Sequence, residues 1–329
     1  MAEDKVRKDK ISSKSKYKMS KSQLKFKKEK SKKSKKEKIR RSSSRVEFPK
    51  SWKEEIEKSG KLFEQEVASI LQDAGFGYII PNEAFLDVET GESRELDVFA
   101  IDAKQIGKKN YFIFPILLVA VKKINLVCFS REEIMSRYAI GDIHFSGMPK
   151  NIYLKEEEYE LTEYLNIEKI HHFYKYKKIS SQFWTPYEKA KEEKGDYFYR
   201  KLIFPLVKAV VANIREHEKS WYFDPTEETI NLQIYYPIIV VENLWECSLT
   251  KRGPKYRPIS RIGFVSRYSS KEISGEYLID ICDKNGFKGL LKIINQEVDK
   301  ITSIIEKKVR IFENSALMDA KHRLEEEKK

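Results

Sequence analysis

The sequence predicts an α/β domain with a mixed sheet flanked by helices, a helical insertion and a disordered basic tail. Three observations predict it: an amphipathic helix precedes a hairpin and a near-continuous apolar strand, strand patterns return from Ile234 onward, and an amphipathic helix closes the chain. We expect the tail over residues 1–48, the domain over 49–318 with a mainly helical insertion at 130–217, and a charged end over 319–329.

The tail holds the basic excess of the chain. The net charge is +13, but residues 1–50 contain 21 basic and 6 acidic side chains, whereas the remainder contains 43 basic and 45 acidic ones. Lys and Ser dominate the tail and its apolar residues show no period, so it cannot bury enough surface to offset its chain entropy. We expect a polycation that contacts phosphates without reading sequence; a solubilising tail or a localisation signal is the alternative.

Several protein classes are excluded. Three widely spaced cysteines exclude a disulfide framework and a CxxC metal knuckle. The longest apolar run, Tyr111–Val121, is about half of the roughly 20 residues that a membrane-spanning helix requires. The basic N-terminus has no apolar segment behind it, so no secretory signal is expected. We therefore expect no membrane partner and a cytoplasmic, nucleoid-associated protein, or a nuclear one if the host has a nucleus.

The elements follow from the spacing of apolar residues. Trp52–Ala74 has helical spacing, and Tyr78–Val88 and Arg94–Ile101 are strand-like on either side of a turn. Phe112–Lys122 predicts a central strand covered on both faces, with Pro115 marking where its ladder pairing begins.

The insertion and the C-terminal part are predicted in the same way. Asp196–Ile214 gives the clearest helix of the insertion, with a kink expected at Pro205. The later strands are expected at Ile234–Val241, Ile259–Arg267 and Tyr277–Cys282, before a closing helix over Leu290–Phe312.

Two neighbouring strands carry the residues that point to chemistry. Glu95 and Asp97 are two apart on one strand and should share a face, while Lys122 ends the adjacent strand on the face of Ala120. An ionised Asp among apolar neighbours is costly to bury without a cation. Carboxylates that hold Mg²⁺, beside a Lys that orients water or stabilises phosphate charge, suit phosphodiester hydrolysis. A simple Asp97–Lys122 ion pair is the alternative.

Three runs carry a family resemblance. GKLFEQEVASILQDAGF, RELDVFAID and ILLVAVKK, within roughly residues 58–125, together resemble the PD-(D/E)XK (restriction-endonuclease-like) nucleases of the Mrr-like or archaeal type. The resemblance implies a restriction-endonuclease-like fold and Mg²⁺-dependent hydrolysis of DNA. It also implies catalytic roles for Glu64, Asp97 and Lys122, with Asp97 as a metal ligand.

One position departs from the family pattern. The motif reads (Asp/Glu)-x-Lys, whereas this chain reads Ala120-Val121-Lys122, so the acidic metal ligand is missing. Glu95, on the strand of Asp97, is the first candidate to complete the metal site. Further candidates are Glu64, Glu66 and Glu83. The alternative is a nuclease fold that keeps binding and has lost cleavage.

A basic turn between two strands is the best phosphate-contact candidate of the folded body. It contains Lys251, Arg252, Lys255 and Arg257 with an aromatic residue among them, although a solvated hairpin loop explains the pattern equally well. We expect DNA as the partner, RNA as the second choice, and leave a homodimer open. A non-catalytic nucleic-acid-binding module and a scaffold whose tail docks on an acidic partner are the alternative functions.

Two other motifs are assigned to structure. His171 and His172 are adjacent, with no third ligand at metal-site spacing, which predicts a surface or helix-packing pair. Cys128 lies in an apolar setting and is predicted to be a core residue and not a nucleophile.

Overall fold

The main feature of the computed structural model is a mixed sheet. The structure describes residues 48–107, 109–131, 143–155, 157–185, 199–220 and 230–326. Apart from Phe48, the predicted tail lies outside these residues, so its disorder stays a prediction. The chain divides into two units, Met1–Glu55 and Ile56–Lys329, and the second contains the whole sheet.

The N-terminal order of helix, hairpin and central strand is confirmed. The predicted first helix is two helices, because Gly60 adopts a left-handed backbone with φ of 81°. The elements are α1 (Lys50–Ser59), α2 (Lys61–Asp73), β1 (Tyr78–Leu86) and β2 (Ser93–Ile101). Strands β1 and β2 pair in antiparallel fashion.

The central strand is longer than predicted. A two-residue strand, β3 (Lys104–Gln105), precedes β4, which runs over Phe112–Arg131. Its pairing begins at Phe112, so the prediction that pairing begins at Pro115 is wrong. The missing N–H of Pro115 does not end the ladder, and its carbonyl accepts a hydrogen bond from the Asp102 N–H at 3.3 Å.

The insertion predicted over residues 130–217 to be mainly helical contains both helical segments and short strands in its described part, and its helical residues outnumber its strand residues. Strands and short helical turns alternate there: β5 (Phe145–Met148), β6 (Asn151–Leu154), β7 (Glu157–Glu160), α3 (Leu161–Tyr164), α4 (Ile167–Ile170), a 3₁₀ turn (His172–Lys175) and β8 (Ile179–Trp184). A π-helical turn (Tyr199–Ile203) then leads without a break into α5 (Phe204–Ser220), of which Pro205 is the second residue. The strands β5 to β8 are four to six residues long, which is too short for a clear alternation of apolar and polar residues in the sequence.

The C-terminal part contains the remaining strands and helices. They are β9 (Asn231–Thr250), β10 (Gly253–Pro258), β11 (Arg261–Ser269), β12 (Ser274–Asp283), α6 (Lys284–Lys307) and α7 (Val309–Glu326). The predicted closing helix is therefore two helices. The predicted domain end at residue 318 falls inside α7, where the next two residues, Asp319 and Ala320, are buried.

Five strands of the sheet form a closed circuit of pairings. β4 pairs in parallel with β9, and β9 pairs in parallel with β12. β12 pairs antiparallel with β11, β11 pairs in parallel with β8, and β8 returns antiparallel to β4. The β1–β2 hairpin extends this circuit through β2–β4, and β10 extends it through β9.

Helices cover both sides of the apolar run of β4. Alternate residues of the strand enter two apolar clusters: Leu117 and Val119 join the first with α2 and α6, whereas Leu118 and Ala120 join the second with α5. The predicted mixed α/β sheet flanked by helices is thus confirmed. Among the described helices, none has both the length and the apolar character needed to cross a membrane.

Candidate functional site

The structure brings Asp97 and Lys122 into contact across β2 and β4. Asp97 Oδ2 accepts hydrogen bonds from Lys122 Nζ at 2.8 Å and from the Val121 N–H at 2.7 Å. The two side chains are 19% and 39% exposed, so the pair lies at the boundary with solvent. Asp97 Oδ1 has no hydrogen-bond partner among the residues that the structure describes.

An irregularity in the hairpin places Asp97. Its ladder passes from the Pro81–Val98 pair to the Glu83–Leu96 pair and skips the position between them, where Asn82 has a left-handed φ of 55°. Leu96 packs in the second cluster and Val98 in the first, although residues two apart on a regular strand share a face. The regular alternation on which Glu95 and Asp97 were expected to share a face is interrupted at Asp97.

Lys61 on α2 is a member of this site that the sequence analysis missed. Its Nζ lies 2.8 Å from Glu64 Oε2 and 3.1 Å from Asn82 Oδ1. The hydrogen bond to Glu64 raises the pKa of Lys61, burial opposes the rise, and the charges of Glu64, Asp97 and Glu95 add to it. All three carboxylates of the predicted catalytic and metal sets therefore act on one ammonium group.

Two other positions considered as metal ligands, Ala120 and Glu66, add no free carboxylate near Asp97. Ala120 is buried in the second cluster and its side chain has no ligating atom, and Glu66 pairs with Lys284 of α6 at 2.8 Å. Within the described ranges, no three carboxylates around Asp97 bring their oxygens within 4.8 Å of one another. We call Lys61, Glu64, Glu95, Asp97 and Lys122 the Asp97 site.

A buried histidine pair forms a second charged group. His171 and His172 are buried and stacked, with ring centroids 4.5 Å apart, so the surface alternative of the prediction is wrong. The helix-packing alternative agrees with the contact between His172 and Glu297 of α6. His172 Nε2 lies 2.7 Å from Asp280 Oδ2, and its Nδ1 lies 3.0 Å from Glu297 Oε1. The sequence could not show this because the two carboxylates lie 108 and 125 residues further along the chain.

The two histidines differ in charge. Burial opposes protonation of His172, but Asp280 and Glu297 outweigh it and raise its pKa to about 9. Burial and the neighbouring His172 charge lower the pKa of His171 well below its ordinary value. One ligand atom from each histidine and one from Glu297 lie within 4.8 Å of one another. A metal would have to displace the proton that joins His172 to its carboxylates, so the arrangement fits an imidazolium better.

The predicted basic turn is the β9–β10 hairpin. Lys251, Arg252, Lys255 and Arg257 are all exposed, and their contact with nucleic acid stays a prediction. The guanidinium of Arg257 donates to Glu246, a buried carboxylate that also binds Lys178 Nζ at 3.0 Å. One of the four predicted contacts is thus already paired within the protein.

The prediction for Cys128 is confirmed. The residue is buried in the second cluster, and burial raises the pKa of its thiol to about 12, so a thiolate nucleophile is not available there. Comparison with known proteins adds no family: no family model, curated protein or solved structure matches this chain.

Proposed function

We propose that this is a DNA-binding protein of the PD-(D/E)XK (restriction-endonuclease-like) type, whose Asp97 site no longer supports rapid Mg²⁺-dependent cleavage. One observation carries the proposal. Asp97 Oδ2 is held by both Lys122 and the Val121 N–H, while the side chain of Ala120, at the position of the family acid, offers no oxygen. The order of helix, hairpin and central strand supports the same family.

The charge balance of the site favours loss of cleavage. Mg²⁺ requires oxygen ligands in near-octahedral geometry and gives up water reluctantly. Glu64 is already neutralised by Lys61, and Asp97 by Lys122, each at 2.8 Å. A divalent ion would have to compete with two ammonium groups for these carboxylates and would find one ligand fewer than the family motif supplies.

A working nuclease is the second candidate. It is favoured by Asp97 Oδ1, which has no hydrogen-bond partner within the described ranges, and by the charges of Glu64 and Glu95 that act on the same Lys61 ammonium. In that case Asp97 with Glu95 or Glu64 would hold Mg²⁺, which would supply Lewis-acid stabilisation and a more acidic bound water. Lys122 would place a positive charge beside the phosphate.

Plasmid nicking separates the two candidates. We expect the natural protein with Mg²⁺ to nick supercoiled plasmid no faster than it does with EDTA. Ala120→Glu should create Mg²⁺-dependent nicking that Asp97→Asn then removes, because the added carboxylate restores the acid-x-Lys spacing. Ala120→Gln is the matched control, since it has the same size and no charge.

Two other outcomes of the nicking assay would contradict the proposal. If the natural protein nicks plasmid with Mg²⁺ and loses that activity in both Asp97→Asn and Lys122→Met, the chain is an active nuclease. If Ala120→Glu and the natural protein are both inactive but folded, and neither responds to Mg²⁺, the Asp97–Lys122 pair is an ordinary ion pair.

A further inference from the structure

An exposed apolar surface covers the end of the sheet where β8, β4, β9 and β10 lie side by side. Four aromatic side chains and one leucine are open to solvent there. They are Trp184 at 55%, Phe129 at 40%, Trp245 at 40%, Tyr256 at 60% and Leu249 at 85% exposure. We call this set the aromatic face.

The strand register places these side chains together. Two ladder rows on the same side of the sheet, separated by one row that points to the other side, cross the four strands: one is Trp184, Val127, Trp245 and Pro258, and the other is Gln182, Phe129, Cys247 and Tyr256. Directly paired residues, and residues two apart on a strand, share a side of the sheet. Neighbouring strands are about 4.8 Å apart, so the rings lie within reach of one another.

The other side of the same strands faces the interior of the protein. Cys128, Leu244 and Phe183 alternate with the aromatic residues and pack in or against the second cluster. The aromatic face is therefore the solvent side of a well-anchored sheet. A contiguous exposed apolar surface of this kind commonly marks a binding site.

Positive charge borders the aromatic face. The hairpin Asn243–Pro258 contains four basic side chains and a single acidic one, Glu246, which is buried. Lys255 and Arg257 alternate with Tyr256 on β10 and lie on the opposite side of the sheet, so Lys251 and Arg252 supply the charge beside the aromatic face. Lys251 and Arg252 lie at the turn, two and three residues after exposed Leu249 on β9. The rest of the folded body has no basic excess, so this local charge favours a polyanion over an apolar peptide.

We propose that the aromatic face binds single-stranded nucleic acid. Unpaired bases would stack on Trp245, Tyr256 and their neighbours, while Lys251 and Arg252 contact the phosphates. Bases in a duplex already stack on each other and present only their edges, so a duplex cannot use this surface in the same way. Both DNA and RNA single strands offer the chemistry that the face requires.

This inference goes beyond the proposed function and does not rest on it. Lys122 and Phe129 lie seven residues apart on β4, which corresponds to roughly 23 Å of strand. The aromatic face is therefore separate from the Asp97 site. Stacking does not require a metal or any residue of that site.

The test is binding of full-length protein to fluorescein-labelled oligothymidylate and oligouridylate, followed by fluorescence anisotropy. Salt is set high enough to weaken phosphate contacts made by the tail. We expect Tyr256→Ala and Trp245→Ala each to weaken binding about tenfold, because each removes a stacking partner. Tyr256→Phe, which keeps the ring, should bind like the natural protein. Tyr78→Ala, which removes a 56% exposed tyrosine from β1, is the matched control.

Several results would overturn the proposal. Equal affinities of the Ala variants and the Tyr78→Ala control would do so, as would an equal loss of affinity for a labelled duplex. A change in oligomeric state by light scattering in Tyr256→Ala, with affinity unchanged, would identify the face as an interface between copies. Thermal unfolding of each variant checks that the substitution leaves the fold intact. A negative plasmid-nicking result has no bearing on these outcomes.

Discussion

Lys122 Nζ lies 2.8 Å from Asp97 Oδ2, and the same oxygen accepts the N–H of Val121, the residue just before Lys122. One carboxylate oxygen therefore fastens β2 to β4 through both a side chain and the backbone. The contact serves stability in the protein as it stands, and it also occupies an oxygen that a metal would use. The hypothesis that the Asp97–Lys122 pair is structural and the hypothesis that it is catalytic thus make different predictions.

The first prediction concerns the strength of this ion pair. In a double-mutant cycle with Asp97→Asn and Lys122→Met, we expect a coupling free energy of about 1 kcal/mol or less, because the pair is partly solvent-exposed. Asparagine keeps an acceptor for the Val121 N–H, so the cycle isolates the charge. Urea unfolding provides the measurement. A coupling of several kcal/mol would mean that the pair is a major structural element.

The second prediction concerns metal binding created at Ala120. Because Ala120 is buried in the second cluster, we expect Ala120→Glu to lower the free energy of unfolding by about 1–3 kcal/mol. Mg²⁺ should recover part of that loss if the new carboxylate reaches a metal shared with Asp97. Ala120→Gln should lose stability without responding to Mg²⁺. Equal responses of the two variants in thermal unfolding would contradict a latent metal site.

The third prediction concerns Lys61. Replacing it by methionine removes the ammonium group that balances Glu64 and is influenced by Asp97 and Glu95. We expect Lys61→Met to bind Mg²⁺ more tightly than the natural protein in isothermal titration, since less positive charge competes for the carboxylates. Lys58→Met on α1, an exposed lysine, is the control. Unchanged Mg²⁺ affinity in Lys61→Met would show that these carboxylates do not form a cation site.

The fourth prediction concerns the tail. Residues 1–48 contain 20 basic and 6 acidic side chains, so deleting them removes the whole basic excess, and we expect DNA affinity to fall and its dependence on salt to flatten. Replacing Lys251 with serine should reduce the slope of log affinity against log salt by about one unit at most. Anisotropy titrations at several salt concentrations supply both slopes. An unchanged slope in the truncated protein would place its phosphate contacts elsewhere.

Local periodicity accounts for what the sequence could predict. Phe63, Val67 and Leu71 recur at helical spacing in α2, and the apolar run of β4 is buried on both faces. These signals depend on neighbours in the chain, so the order of helix, hairpin and central strand followed from them. The approach of Lys61 to Asp97 depends on how α2 packs, and no local pattern contains that information.

The far end of β4 illustrates why the sequence did not predict the length of this strand or the aromatic face. Lys122-Lys123 predicts the end of the central strand, but β4 continues because Lys123 is exposed to solvent and its Nζ donates to the Glu57 carbonyl at 3.0 Å. Further along β4, Cys128 is buried and its neighbour Phe129 is exposed. Hydrophobicity alone predicts that a phenylalanine is buried. The aromatic face therefore became visible only from the strand register.

The last prediction concerns the pH dependence that His172 imparts. Asp280 and Glu297 face its two ring nitrogens, His171 stacks on its ring, and Tyr176 donates to the second oxygen of Asp280. The pKa of His172 is about 9 in the folded protein against the ordinary 6.5. A raised pKa contributes stability that is fully present below pH 6.5 and is lost as the pH rises through about 9.

We therefore expect the free energy of unfolding to fall by about 3 kcal/mol across that range through this group. His172→Gln cannot take up the proton and should be less stable near pH 6, with a much flatter pH profile. His322→Gln, which replaces an exposed histidine of α7, should keep the profile of the natural protein. Urea unfolding at a series of pH values tests this, and parallel profiles for the natural protein and His172→Gln would mean that the buried imidazole is neutral.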